Sequence, residues 1–362
     1  MAGTVRAAGS PGGAVNTRLE PSLQLWLPAL AAFASGHPLR ELLPRADRLA
    51  DGAAGYLGGL GELFGGAGHP LPAAALTREF IAGDAAAARW LSADPAWVQP
   101  DMSGVRLLAC GQLQLTLAEA QALAEPLHAV FDEAGMQLEL STPDRWHLRL
   151  PPELALPLFA APEQALGEDL AQHLPPGAEG RRWRVLLNEI QVLLHQHPLN
   201  AARRARGLAP VNSLWLWGGG TLPGRLQTAL RGVISDDLLL NALAARAGIG
   251  QHARTPATVA AASRGWLIDL QDLPAGEIAA RWWPLLQPGQ PVLDLRRPQH
   301  TACGVHLLQH RMHVRRPAVG RALADAPAQR RAAHAAALRQ RRQRCHGRCC
   351  QRSALVKCST TG

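Results

Sequence analysis

The clearest periodicity in the chain begins at Trp183. Trp183, Leu187, Ile190 and Leu194 recur at helical spacing with Leu186 and Leu193 beside them, while Arg184, Asn188, Gln191 and His195 form the opposite stripe. This pattern predicts an amphipathic helix. Pro198 lacks an amide hydrogen and disfavours helical geometry in the residue before it, so the helix should stop at His197. Asn200 is placed to cap a short second helix, and Gly207 to close it in the left-handed region. Residues 214–217 are apolar on both faces, which predicts a central strand ended by the glycines 218–220.

Elsewhere the pattern alternates between helix and strand. Residues 105–110 (VRLLAC) predict a strand and residues 112–115 (QLQL) its partner. Thr116 and Glu119 form a capping box that opens a helix running to about Ala134 and closed by Gly135. Strands at 136–140 and 145–150 follow, joined by a turn at 141–144, and together these make a small α+β module. Its His128 and His147 read as surface or packing histidines. Upstream, residues 22–95 are short apolar segments broken by Gly and Pro, with residues 23–34 a first strand or helix of the core and Asp84 a cap for a helix at 85–91. Asp47 and Asp51 read as a solvated face. Downstream, a β-like run at 232–234 leads into a helix capped by Ser235 or Asp236 and closed by Gly248. A strand at 265–270 and a helix at 275–286 follow. The alternation points to an α/β sheet architecture.

Charge changes this picture only at one end. The 362 residues carry a formal net charge of +9. From Thr301 onward thirteen basic residues face the single acidic Asp325, a net +12, which leaves residues 1–300 at −3. Five of the six cysteines also lie beyond Thr301, and all ten tryptophans lie before it. Three readings of this tail stand: a basic arm binding nucleic acid non-specifically, a metal-binding knuckle around Cys345, His346, Cys349 and Cys350, or a GC-rich gene read in a shifted frame past Leu295. Residues 1–17, rich in Gly and Ala, read as a disordered extension. No run reaches the roughly 18 apolar residues that span a bilayer. With Cys110 alone in the body, a disulfide framework is excluded and a cytoplasmic location expected.

The central stretch carries a resemblance. His197-Pro198-Leu199-Asn200, Arg203, Arg204, Gly207, Pro210, Asn212 and the WLWG of residues 215–218 resemble the HPxN…R…G…PxN…WLWG pattern of archaeal-type, cofactor-independent phosphoglycerate mutases, members of the alkaline phosphatase superfamily. The resemblance implies an α/β fold: an alkaline-phosphatase-like core sheet with helices on both faces, carrying an inserted smaller α+β domain. Residues 18–98 and 181–300 would form the core, residues 99–180 the insert and residues 301–362 the tail. Those enzymes hold two metal ions with Asp and His clusters and attack phosphate with a serine near the first strand. Here Asp51-Gly52 is an isolated dipeptide, and Asp269-Leu270-Gln271-Asp272-Leu273-Pro274 is followed by no histidine where the family has a metal motif. The segments LQLWLPALAAFASG, LTREFIAGDAAAARWLSADPAWVQPD and HPLN…NSLWLWGGG are similar to bacterial RpfE-type regulatory proteins, over about residues 18–295. That similarity implies regulation.

The ligand-binding candidates are therefore His197, Asn200, Arg203, Arg204 and Asn212. Arg203, Arg204 and Arg206 would offer cations to a phosphorylated ligand, or line a solvated helix face. Asn212 would orient a ligand or brace the turn before the strand. No catalytic residue, metal ligand or cofactor is expected. The expected partners are a phosphorylated small molecule or a regulatory protein, with no membrane, and nucleic acid only through the tail. The alternative is a manganese- or zinc-dependent phosphoglycerate mutase or phosphatase whose metal ligands converge only in space.

Overall fold

Leu23, Leu25 and Trp26 are at most 1% exposed because the strand they form lies in the middle of a sheet covered on both faces. The computed structural model describes residues 23–42, 44, 47–49, 52–53, 55–102, 104–286, 292–296 and 311–315. In chain order the described strands are β1 (Leu23–Trp26), β2 (Asp47–Leu49), β3 (Arg89–Pro100), β4 (Val105–Cys110), β5 (Gln137–Thr142), β6 (Arg145–Leu150), β7 (Ser213–Thr221), β8 (Gly232–Ile234), β9 (Gly250–His252), β10 (Trp266–Asp269), β11 (Val292–Arg296) and β12 (Arg311–Arg315).

They form two sheets. The first runs β2-β12-β11-β1-β10-β8-β9, parallel from β11 to β9 and antiparallel at β12. Alternation sends Leu23, Leu25, Ile234 and Ile268 to one face and Trp26, Val233 and Leu267 to the other. The first face packs against Phe33, Leu39, Val259, Ile278 and Trp282. The second packs against the helices Gly55–Leu63, Ala73–Ala82 and Leu238–Ala247. A parallel sheet buried on both faces needs apolar residues at consecutive positions, and these short strands supply them. The α/β class with a parallel sheet and covering helices is as the sequence predicts.

The second sheet is antiparallel, in the order β4-β3-β6-β5 with β7 against the other side of β3. One face carries Leu91, Ala93, Trp146, Leu148, Leu214 and Leu216 into a core shared with the helices Leu117–Glu133 and Gly177–Gln196. The other carries Ala96, Val98, Leu107, Trp215 and Trp217 into the core beneath the parallel sheet. The strand expected at the centre of a sheet is thus an edge strand whose only ladder partner among the described residues is β3. It is apolar on both faces because each face is roofed by a different core. Since β3 starts at Arg89 and β7 ends at Thr221, the second sheet draws on residues either side of 99–180.

Local expectations meet the structure unevenly. The Thr116–Glu119 capping box, the helix it opens and the two strands β4 and β6 form where predicted. Residues 112–115 are not a strand: Gln114 takes φ +56, and the amides of Leu113 and Leu115 bond to Asp144. The helix expected at 85–91 is a single 3-10 turn, Ala85–Ala87, before β3 takes over; the Asp84 carboxylate pairs with Arg78 and caps nothing. Asp237, not Ser235 or Asp236, caps the helix Leu238–Ala247 by accepting from the Leu240 amide at 2.7 Å. Asp47 lies in β2. The readings of residues 1–17, of Asp51 and of the tail's arginines and cysteines beyond 315 fall outside the described residues.

Candidate functional site

The predicted ligand residues are built into the join between the helix Gly177–Gln196 and β7. Pro198 occupies the N-cap of the helix Leu199–Ala205, so Asn200 sits one step inside it, 1% exposed. Its Nδ2 donates to the carbonyls of Leu194 (2.7 Å) and Val211 (2.8 Å), and its Oδ1 accepts from the Val211 amide (2.8 Å). The expected cap is instead a clamp between the end of one helix and the approach to β7. Gly207, at φ +71, closes the short helix as predicted.

Arg203 is fully buried. It donates to the carbonyls of Ala209 (2.9 Å) and Leu113 (2.6 Å) and lies 3.2 Å from Glu119 Oε2, while Arg206 holds the other Glu119 oxygen. Burial alone would raise the Glu119 pKa; the Thr116 backbone and the guanidinium groups of Arg206 and Arg203 outweigh it and hold it at about 2. Asn212 accepts from the Val98 amide (2.9 Å) and donates to its carbonyl (2.8 Å), bridging the bulge in β3. His197 ends its helix with Nδ1 accepting from the Leu199 amide, and Arg204 is exposed. The polar atoms of Asn200, Arg203 and Asn212 are thus committed to the protein's own backbone and to Glu119.

A different cluster forms where β8 and β10 end, the edge at which open α/β sheets place their sites. Asp269, the last residue of β10, is 2% exposed and accepts from Ser235 Oγ at 2.9 Å. Ser235 also accepts from the Asp237 amide, and Asp237 accepts the hydroxyl of Tyr56, which arrives from the helix Gly55–Leu63. Burial and the charge of Asp237 raise the Asp269 pKa to about 7. Burial, with Asp237 and Asp269, also pushes the Tyr56 hydroxyl well above its usual value. On the outer side, Arg254 donates to Asp272 Oδ2 (2.7 Å) and the Asp269 carbonyl (2.8 Å) and lies 3.3 Å from Asp236 Oδ2. Its side chain is 6% exposed. Asp236, Asp237 and Asp269 therefore do converge, and His197 is not among their partners. Tyr56 and Arg254 were not singled out in the sequence. Neither lies in a motif, and only tertiary packing brings them here.

These residues do not fit a manganese or zinc centre of the phosphoglycerate mutase kind. Such a centre needs carboxylate and imidazole lone pairs open to the ion. Here a guanidinium takes up Asp236 and Asp272, and Asp237 is engaged by Tyr56 and the Leu240 amide. Among the described residues no three His, Cys, Asp or Glu side chains are grouped to hold a metal.

The chain matches curated relatives over a short stretch. Over 62 residues the chain is 39% identical to a probable 2,3-bisphosphoglycerate-independent phosphoglycerate mutase of Geobacter sulfurreducens, and 36% identical to the 2,3-bisphosphoglycerate-independent phosphoglycerate mutase of Methanothrix thermoacetophila. Each match covers 17% of this chain and spans 16% of the length of these curated relatives. No family model matches the chain. Among solved structures, a cofactor-independent phosphoglycerate mutase from Thermoplasma acidophilum aligns with 80% of this chain and 89% of its own, at 13% identity and a TM-score of 0.36. The PH0037 protein from Pyrococcus horikoshii aligns with 82% and 88%, at 13% identity and a TM-score of 0.40. The class established is an α/β protein with a parallel sheet and a second, antiparallel α+β sheet. A stretch of it is related to cofactor-independent phosphoglycerate mutases.

Proposed function

We propose that this chain is a non-catalytic regulatory protein of the RpfE type, on a scaffold related to cofactor-independent phosphoglycerate mutases. The supporting observation is Arg254. It places a permanent cation of the protein's own against Asp236 and Asp272 at the carboxyl ends of β8 and β10, where a metal-dependent relative would need free carboxylates. Phosphoryl transfer depends on cations that neutralise and position the transferred group. A guanidinium locked into three partners has no such freedom. The reading carries no cofactor, a cytoplasmic location and a protein or small-molecule partner. No described helix is long and apolar enough to cross a membrane. The commitment of Arg203 to Leu113, Ala209 and Glu119 leaves the exposed Arg204 as the weaker remainder of a phosphate site.

The test is a manganese and zinc titration of the full chain with p-nitrophenyl phosphate and 3-phosphoglycerate as substrates. No metal-dependent turnover is expected. Turnover that Asp269→Asn or Asp272→Asn abolishes would establish the alternative, a metal-dependent mutase or phosphatase.

A further inference from the structure

Among the described residues, Glu163 touches the cluster at the sheet edge only through Tyr56, from whose amide it accepts. It lies in a cavity of about 440 Å³ between the helix Gly55–Leu63 and residues 158–176, within the range of small-molecule sites. Leu57, Leu71, Phe159 and Leu174 supply apolar walls, His69, His173, Gln164 and Gln172 add polar lining, and Leu158, 71% exposed, stands at the mouth. The Glu163 oxygens accept from the amides of Tyr56 (2.9 Å) and Leu57 (3.1 Å), the first turn of the helix. Each carboxylate oxygen has a second lone pair. Among the described residues no basic side chain pairs with this carboxylate, and burial outweighs the two backbone donors to raise its pKa to about 7.

From this geometry we infer that the cavity binds a small organic ammonium, a primary or secondary amine on an apolar body, with the ammonium against Glu163. The walls take the apolar body. The unneutralised carboxylate takes the cation, which restores the solvation that burial removes. An anionic ligand is disfavoured, because the helix-start amides that would bind it are already held by Glu163. This site goes beyond the regulatory reading and does not depend on it, since it shares no side chain with the cluster around Arg254.

The test is calorimetric titration of the full chain at about pH 8, where Glu163 is mostly ionised, with 2-phenylethylamine, 2-phenylethanol and 3-phenylpropionate. The amine should bind at least about tenfold more tightly than the alcohol, and the acid more weakly than both. Glu163→Gln keeps an oxygen for one amide but removes the charge, and should bring amine and alcohol within about twofold. Leu158→Arg changes an exposed residue and sets a cation at the mouth, so amine binding should fall with the fold intact by circular dichroism. It decides the matter if Glu163→Gln does not fold. Equal binding of amine and alcohol, preference for the acid, no amine binding up to about 10 mM, or full amine affinity in Leu158→Arg would each overturn the assignment.

Discussion

Arg254 and Asp272 meet as a two-pronged ion pair, both guanidinium Nη groups on both carboxylate oxygens, with the Arg254 side chain 6% and the Asp272 side chain 57% exposed. The pair closes the acidic edge of the parallel sheet from outside, and Asp269 lies beneath it. Removing the cation should therefore have two consequences. Arg254→Ala should lose about 1–3 kcal/mol of stability in urea titrations, because several charge-assisted hydrogen bonds disappear. It should also gain measurable manganese affinity by calorimetry, since Asp236 and Asp272 are then unpaired. If the variant binds manganese no better than the wild type, the guanidinium does not govern metal affinity at this edge.

The buried carboxyl of Asp269 should appear in the pH dependence of stability. Its folded pKa of about 7 lies above that of an unfolded Asp, so the folded chain holds a proton that the unfolded chain has released between about pH 4 and pH 7. The stability it contributes is full below that window and is lost as pH rises through 7. Glu163, raised to about 7, acts in the same direction, while His147, lowered to about 3 by burial and the charges of Arg145 and Arg78, acts in the opposite one. The readout is therefore a difference. Asp269→Asn should gain on the wild type from pH 5 to pH 8 by on the order of 2–4 kcal/mol. A constant difference across that range would show that the carboxyl does not titrate there.

Asn200→Ala deletes one acceptor and two donors that serve buried backbone groups, and should cost about 2–4 kcal/mol by chemical denaturation. Asn200→Asp should cost more, because it turns a carboxylate oxygen toward the carbonyls of Leu194 and Val211. If Asn200 instead serves mainly to bind a ligand, both variants keep near-wild-type stability.

Gly218, at φ +64, lets β7 pass close to the helix Ala73–Ala82: a Cβ there would lie 2.8 Å from the Ala73 Cβ. Gly218→Ala is expected to destabilise by about 2–3 kcal/mol from the strained backbone and the clash together, measured as a fall in thermal midpoint. An unchanged midpoint would mean that the helix can move away at little cost.

The central segment shows how far its residues could be read. Apolar periodicity from Trp183 onward determined most of the helix Gly177–Gln196, because a 3.6-residue repeat can bury only one stripe, while its first six residues carry no such repeat. Proline and glycine chemistry set its end and that of the next helix, and hydroxyl–carboxylate spacing set the capping box at Thr116. All of these are local rules, satisfied within a turn or two of chain. The role of Asn200 was not local. A cap and a clamp need the same side chain, and the difference lies in Val211, eleven residues away.

Tertiary structure alone decided where the polar residues meet. Residues 214–217 read as a central strand because burial of both faces leaves the same sequence pattern whether a strand has one ladder partner or two. Arg203 looked available to a ligand because its partners Leu113 and Glu119 lie some ninety positions upstream. Asp269, Asp237, Tyr56 and Arg254 come from four separate segments of the chain, and the raised pKa values of Asp269 and Tyr56 arise from burial and neighbouring charge, which exist only once the sheet has closed over them. Periodicity and capping chemistry thus determined the helices around Trp183 and after Thr116 and the strands β4 and β6, and three-dimensional packing decided which charges neutralise one another.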